Sequence, residues 1–329
     1  MKHNNISIFV AHVGCPNKCS FCNQHTISGS PKAPSIQEVE NICRKALSEI
    51  KNPENTEIAF FGGSFTAISP DYMTDLLRTA YKFIGAGKFH GIRVSTRPDC
   101  ITPEILGILK EYGVTAIELG AQSMNDNVLS LNERGHTTQD IFNASRMIRE
   151  YGFELGLQMM IGLYGSTPET EHETMNKIIE IKPDTVRIYP VVILKGTRLA
   201  ELFETGIFKP FDFEYVVEFS AECLINFERN NIKVIKCGLH ASEFVENDKV
   251  GGFYHPAFRE LCESVIYRRA IQDITGNNSG KYIFRVNDRC ISKALGQKKS
   301  NIEFFRKNNM EIKFIPDSSV PVYEVWEVK

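Results

Sequence analysis

Cys15, Cys19 and Cys22 stand close together in the run Val-Gly-Cys-Pro-Asn-Lys-Cys-Ser-Phe-Cys. Three thiolates at this spacing can hold an iron–sulfur cluster but supply only three ligands. A [4Fe–4S] cube has four irons, so one iron is left open to bind another group, which suggests a cluster that does chemistry. A zinc site is the main alternative. It wants a fourth Cys or His, and His25 lies three residues past Cys22. A disulfide with one spare thiol is a weaker third reading. The nine cysteines are an odd number, and the N-terminus reads as a strand, not a secretory signal. The chain is therefore expected to be cytoplasmic, where thiols stay reduced and clustered cysteines mean metal or catalysis.

A second group of residues follows the next apolar segment, in Phe60-Phe61-Gly62-Gly63-Ser64-Phe65-Thr66. Paired glycines let a backbone come close to a ligand, although alone they fit a tight strand-to-helix turn equally well. Further polar residues gather at the ends of later apolar segments. They are Arg97-Pro98-Asp99, Gly120-Ala121-Gln122-Ser123, Gln158 with Gly162, and Arg187 with Tyr189.

The elements that must position these residues alternate. Strand patterns cover 6–13, 58–61, 92–95, 116–120, 154–161 and 185–191, and amphipathic helical patterns cover 35–50, 71–84, 103–112, 126–132, 139–151 and 168–181. Ser35 with Glu38 reads as a capping box, and Pro70 and Pro168 read as helix starts. Six β-α units in series predict an α/β fold with a parallel sheet. The alternation alone does not separate a doubly wound sheet from a barrel. In both, ligands bind at the C-terminal ends of the strands, where the polar residues fall.

The C-x3-C-x2-C spacing, with Phe21 before the third cysteine, resembles the signature of the radical S-adenosylmethionine (SAM) enzymes. The motifs Gly62-Gly-Ser-Phe-Thr-Ala67, Arg97-Pro-Asp99, Glu118-Leu-Gly-Ala-Gln-Ser123, Asn132-Glu-Arg-Gly-His-Thr137, Met159-Met-Ile-Gly-Leu163 and Ile188-Tyr-Pro190 follow in order. Over about residues 5–240 the set resembles the radical-SAM core of the catalytic subunit of Elongator and its bacterial relatives. The resemblance implies a partial (β/α)6 TIM-like barrel and two cofactors, a [4Fe–4S] cluster on Cys15, Cys19 and Cys22, and SAM. Gly62, Gly63 and Ser64 would line the methionine end of SAM, although the family usually has Glu where Ser64 stands. Gln122 and Arg134 match polar residues near SAM in the related oxygen-independent coproporphyrinogen oxidase, Arg134 facing the carboxylate. Gln158 stands where that relative has an Asp near the ribose. The implied reaction is reductive cleavage of SAM to a 5′-deoxyadenosyl radical, which takes a hydrogen atom from a substrate. It needs a one-electron donor such as flavodoxin or ferredoxin.

The chain has 329 residues, 42% of them hydrophobic and 24% charged, with net charge −2. This is ordinary for a globular protein and gives no global support for nucleic-acid binding. No apolar run approaches membrane-spanning length. Three segments are expected: 1–240 as the barrel, 241–280 as a helical connection closing it, and 281–329 as a small α+β C-terminal unit. That last unit reads β-α-α-β-β, with a basic turn Gly296-Gln-Lys298-Lys299 between its helices, and is similar to the core of an RNA-binding KH module. Lys299 replaces the second glycine of the KH clamp and the final KH helix is missing. A small lid domain with ordinary surface lysines is the rival reading. Cys237, His240 and Glu243 read more readily as core and loop than as a second metal site. The helix around Arg259, Glu260, Glu263, Arg268 and Arg269 reads as a solvated charged face. Elongator's acetyltransferase domain has no counterpart in this length, so acetyl-CoA-dependent chemistry is not expected. RNA is the leading substrate. A small molecule or tetrapyrrole is a second possibility, and a non-catalytic metal-bearing nucleic-acid-binding module a third.

Overall fold

The computed structural model describes residues 4–11, 13–16, 18–29, 32–240 and 242–328; within the helix that contains it, the side chain of His25 is outside the described set. The strands are β1 (Asn4–Val10), β2 (Thr56–Gly62), β3 (Gly91–Thr96), β4 (Val114–Gln122), β5 (Glu154–Ile161), β6 (Thr185–Pro190), β7 (Val192–Leu194), β8 (Lys233–Cys237) and β9 (Lys249–Gly252). Between them lie helices α1 (Gln24–Ser28), α2 (Ile36–Glu49), α3 (Pro70–Tyr81), α4 (Pro103–Glu111), α5 (Asp126–Leu131), α6 (Thr138–Glu150), α7 (Pro168–Ile181), α8 (Arg198–Glu204), α9 (Phe213–Arg229) and α10 (Glu243–Asp248). Strands β1 to β6 pair in sequence order, each parallel to the last, and β8 takes the edge beside β6. The result is a seven-stranded parallel half-barrel. The six expected units are present, and β8 extends their sheet by one strand.

Local chemistry explains the helix starts. Ser35, Thr137 and Thr167 close capping boxes at α2, α6 and α7. Pro70, Pro103 and Pro168 sit in the first turns, where a missing N–H costs nothing. Strand side chains alternate between faces. Ile58 and Phe60 of β2, Ile92 and Val94 of β3, and Ile117 and Leu119 of β4 are fully buried apolar residues. The opposite face carries charge, because Arg93 reaches Glu57, Glu118 and Glu154 on neighbouring strands.

The chain forms two compact units. The first comprises the chain up to Pro210, Ile232–Ile235, and the segment that ends at Phe253; the second comprises Phe211–Asn231, Lys236–His240 and the chain from Tyr254 onward. These are not the boundaries expected at 240 and 280. α9 belongs with the second unit, where it packs on α11 (Phe258–Thr275). Residues 242–253 belong with the first, because β9 pairs antiparallel with β7.

In the second unit, β10 (Gly280–Val286), α12 (Ile291–Leu295), α13 (Ser300–Lys307), β11 (Met310–Pro316) and β12 (Val325–Glu327) follow α11. β10 lies between a parallel β11 and an antiparallel β12. Its core gathers Tyr267, Ile271, Phe284, Val286 and Phe305. The charged face expected on α11 is partly buried. Glu263 is only 2% exposed and accepts hydrogen bonds from Arg259, Lys293 and Tyr323, each at 3.0 Å.

Candidate active site

The three cysteines lie on the connection that leaves β1. Cys15 is exposed, Cys22 half-buried and Cys19 buried, and the Cys22 N–H donates to the Cys19 carbonyl at 3.1 Å. The loop is anchored on its neighbours. Ser20 is tied to Asn132 by backbone N–H to carbonyl at 3.1 Å and by hydroxyl to side-chain carbonyl at 2.8 Å. Its own carbonyl accepts the Leu199 N–H at 2.8 Å.

The glycine pair explains how the loop reaches the end of β2. A Cβ on Gly63 would stand 2.3 Å from the Val13 carbonyl oxygen, and one on Gly14 would stand 2.4 Å from that of Ser64. Only glycines let the two strand ends pack this closely. The Ser64 hydroxyl is already engaged, 2.9 Å from the Thr96 hydroxyl and accepting the Arg97 N–H at 3.3 Å. Ser64 therefore ties the β2 turn to the β3 end.

Gln122 ends β4 at a bulge. The β4–β5 register slips between Leu119 and Gln122, and Gln122 has φ 68°. Such a left-handed non-glycine backbone is strained and is found disproportionately at functional sites. Arg134 lies between two left-handed residues, Glu133 (φ 56°) and Gly135 (φ 69°), and its side chain is buried. Its Nη1 donates to Cys19 Sγ at 3.0 Å and its Nη2 to the Gly120 carbonyl at 2.6 Å. Arg97 supports it from behind. The Arg97 guanidinium is paired with both oxygens of Asp99, at 2.9 and 3.0 Å, and also donates to the Arg134 carbonyl. The Gln158 amide donates to Glu118 at 3.0 Å on the charged face of the sheet.

In the sequence Glu118 and His136 stand only as parts of motifs, and Arg97, Asp99 and Arg187 as polar residues at strand ends with no assigned role. Their roles depend on contacts between different loops and strands. His136 is buried, 3.9 Å from Asp99, and burial followed by the Arg134 and Arg97 charges pushes its pKa down to about 4. Arg187 pairs with Glu118 at 2.7 and 2.9 Å and lies over the Phe61 ring at 5.1 Å. Burial opposes the Glu118 charge, but Arg187 and then Arg93 hold its carboxyl below the usual carboxylate range.

The site suits the two expected cofactors. Burial first, then Cys19 and Cys15, push the Cys22 thiol up to about 12. A Cys22 thiolate in this loop therefore calls for a cationic centre, which the irons of a cluster would supply. Nearby, Ser95 Oγ, Arg97 Nη1 and Arg134 Nε are buried with no hydrogen-bond partner among the described residues. Orphaned polar atoms are costly, and a polar ligand with a carboxylate, an amine and a ribose would meet them. Among the described residues, no three His, Cys, Asp or Glu side chains converge on one metal ion, neither the three cysteines nor Cys237, His240 and Glu243. A cube makes a different demand, since each cysteine takes a separate iron. An open groove of about 600 Å³, lined by Lys18, Asp126, Glu133 and His136 among others, borders the cysteine loop.

The fold is a parallel half-barrel, and its candidate site gathers at the C-terminal strand ends. The chain belongs to the radical SAM superfamily: that family matches residues 10–178, more than half of the chain, and the radical SAM C-terminal domain matches residues 183–268. The enzymes of this superfamily use a [4Fe–4S] cluster and SAM. Among similar proteins, a tRNA uridine(34) acetyltransferase of Dehalococcoides mccartyi is 25% identical over 63% of this chain and 52% of its own length. Human Elongator complex protein 3 is 27% identical over 52% of this chain and 35% of its own. The chain thus spans about half the length, or less, of these curated relatives. The solved structure of archaeal Methanocaldococcus infernus Elp3 aligns with TM-score 0.55 at 20% identity, covering 74% of this chain and 62% of that one. No helix among the described residues is long and apolar enough to cross a membrane.

Proposed function

We propose that the protein cleaves SAM reductively to a 5′-deoxyadenosyl radical and uses it to take a hydrogen atom from an RNA substrate. The observation that carries the chemistry is the convergence, at one end of the half-barrel, of the cysteine loop, a glycine turn and the buried guanidinium groups of Arg134 and Arg97, each with an unpaired nitrogen. When bound, the reduced cluster and SAM supply the radical. The protein's residues bind, orient and enclose. Cys15, Cys19 and Cys22 would hold three irons. The backbone at Gly62 and Gly63 would receive the methionine end of SAM, with Ser64 keeping that turn fixed on Thr96. Arg134 Nε and Arg97 Nη1 are donors available to a carboxylate, and Ser95 Oγ and the Gln122 amide offer further polar contacts. Electrons would come from a one-electron donor of the flavodoxin or ferredoxin class, on the side where Cys15 and Lys18 are exposed.

RNA as substrate is supported by relatives named as tRNA-modifying proteins and by the turn after α12. Lys298 and Lys299 are exposed there, at φ 52° and 62°. Holding two lysines in the left-handed region costs on the order of 1 kcal/mol each.

Two experiments test this reading. Protein reconstituted anaerobically with iron and sulfide, reduced with dithionite and given SAM, should release 5′-deoxyadenosine, and Cys19→Ala should not. Failure of the wild-type protein, or zinc as the bound metal, overturns the radical chemistry. Nucleoside profiling of a deletion strain should show a missing RNA modification. Unchanged RNA beside an altered metabolite would refute RNA as the substrate.

A further inference from the structure

Arg134 is the one described charged side chain hydrogen-bonded to a cluster cysteine, and it is held there from several directions. Cys19 is 8% exposed and Arg134 is 5% exposed, so their contact is screened from water. The guanidinium cannot easily swing away. Nη2 is fixed on the Gly120 carbonyl, and a Cβ on Gly120 would stand 3.3 Å from that nitrogen, so the glycine leaves the space Arg134 occupies. The backbone is fixed as well, by Arg134 N–H to the Leu129 carbonyl at 3.0 Å, by Arg97 on the Arg134 carbonyl, and by the double Ser20–Asn132 tie that fastens the Arg134 segment to the cysteine loop. Cys15, by contrast, accepts from the neutral amide of Gln24 at 3.5 Å.

A hydrogen bond donated to a cluster sulfur stabilises the more electron-rich, reduced cluster and raises its potential. A charged donor in a dry site does so more strongly than a neutral one in water. We propose that Arg134, through Nη1 on the Cys19 sulfur, raises the reduction potential of the cluster and so makes it easier for the donor to charge. This role is separate from any contact of Arg134 Nε with SAM. The step is a one-electron reduction of the cube from its 2+ to its 1+ state, with the electron from a low-potential carrier of the flavodoxin or ferredoxin class. No proton leaves Arg134.

The inference rests on the cluster reading above, and its test separates the two. Wild type, Arg134→Met and Arg134→Lys are reconstituted anaerobically, assayed for iron and sulfide, and titrated with dithionite and mediators while the reduced cluster is followed by electron paramagnetic resonance without SAM. The expected result is a midpoint potential more negative in Arg134→Met than in wild type, with Arg134→Lys between them. A full cluster in Arg134→Met with the wild-type potential overturns the proposal. If that variant assembles no cluster, wild type labelled with 15N-arginine decides. The reduced cluster should show hyperfine coupling to a guanidinium nitrogen, and absence of coupling overturns the proposal. Wild type that takes up no iron–sulfur cluster refutes the underlying reading instead.

Discussion

At the scale of single residues, burial of an ionisable group is costly unless a partner or a lost charge compensates. Glu171, on the first turn of α7, is 2% exposed and accepts the Gly162 N–H at 2.7 Å. Burial raises its pKa to about 7, against smaller lowering effects from the Gly162 N–H, Ser166 and His172. The folded protein thus keeps a proton that the unfolded chain releases near 4.5. Its contribution to stability is complete below that value and is lost as pH rises through about 7. A shift of this size corresponds to roughly 3 kcal/mol. Unfolding midpoints in urea should fall between pH 5 and pH 8, and Glu171→Gln, which keeps an acceptor for Gly162, should flatten most of that slope. An unchanged slope in the variant would assign the pH dependence elsewhere.

At the scale of elements, the glycines discriminate between packing and mere tolerance. Gly63→Ala would put a methyl 2.3 Å from the Val13 carbonyl, a backbone atom that yields only if the end of β1 moves. That movement displaces the loop carrying Cys15 and Cys19. Circular dichroism should remain native while iron uptake on reconstitution falls severalfold. Gly107 on α4 is the control. A Cβ there meets nothing within 4 Å, so Gly107→Ala should stabilise the fold by about 0.5–1 kcal/mol and leave iron uptake unchanged. The alternation of strands and helices was readable because each has its own hydrophobic period. The membership of β8 in the barrel sheet was not, because α9, a helix of the second unit, interrupts the rhythm before it. Within the site, the cysteines and glycines were legible from spacing alone. The contact of Arg97 with the Arg134 carbonyl was not, since it joins the ends of different elements.

At the scale of the molecule, the inner face of the half-barrel is held by ions rather than by the layered aliphatic side chains of an ordinary barrel. Ala59 on β2, Arg93 on β3 and Ala116 on β4 stand side by side in register, as do Glu118 with Gly156 and Gln158 with Arg187. The small residues make room for the large charged ones. A Cβ on Gly156 would stand 2.8 Å from the Glu118 side chain. Arg93, with no exposure, joins Glu57 at 2.7 Å, Glu154 at 2.8 Å and Glu118 at 3.4 Å, and so spans four strands. Removing a buried ion from such a network costs about 3–5 kcal/mol, because its partners stay behind uncompensated. Arg93→Met should therefore lower the unfolding free energy of the barrel by that amount, read from the urea midpoint at unchanged m-value. Glu118 keeps Arg187, so the carboxylate that loses most is that of Glu57, which is 6% exposed and keeps the Thr115 hydroxyl at 3.1 Å. Adding Glu57→Gln to Arg93→Met should then recover part of the loss, whereas independent sites would add their costs. A double variant less stable than the sum of the singles would show that the ladder does not act as one charge-balanced unit.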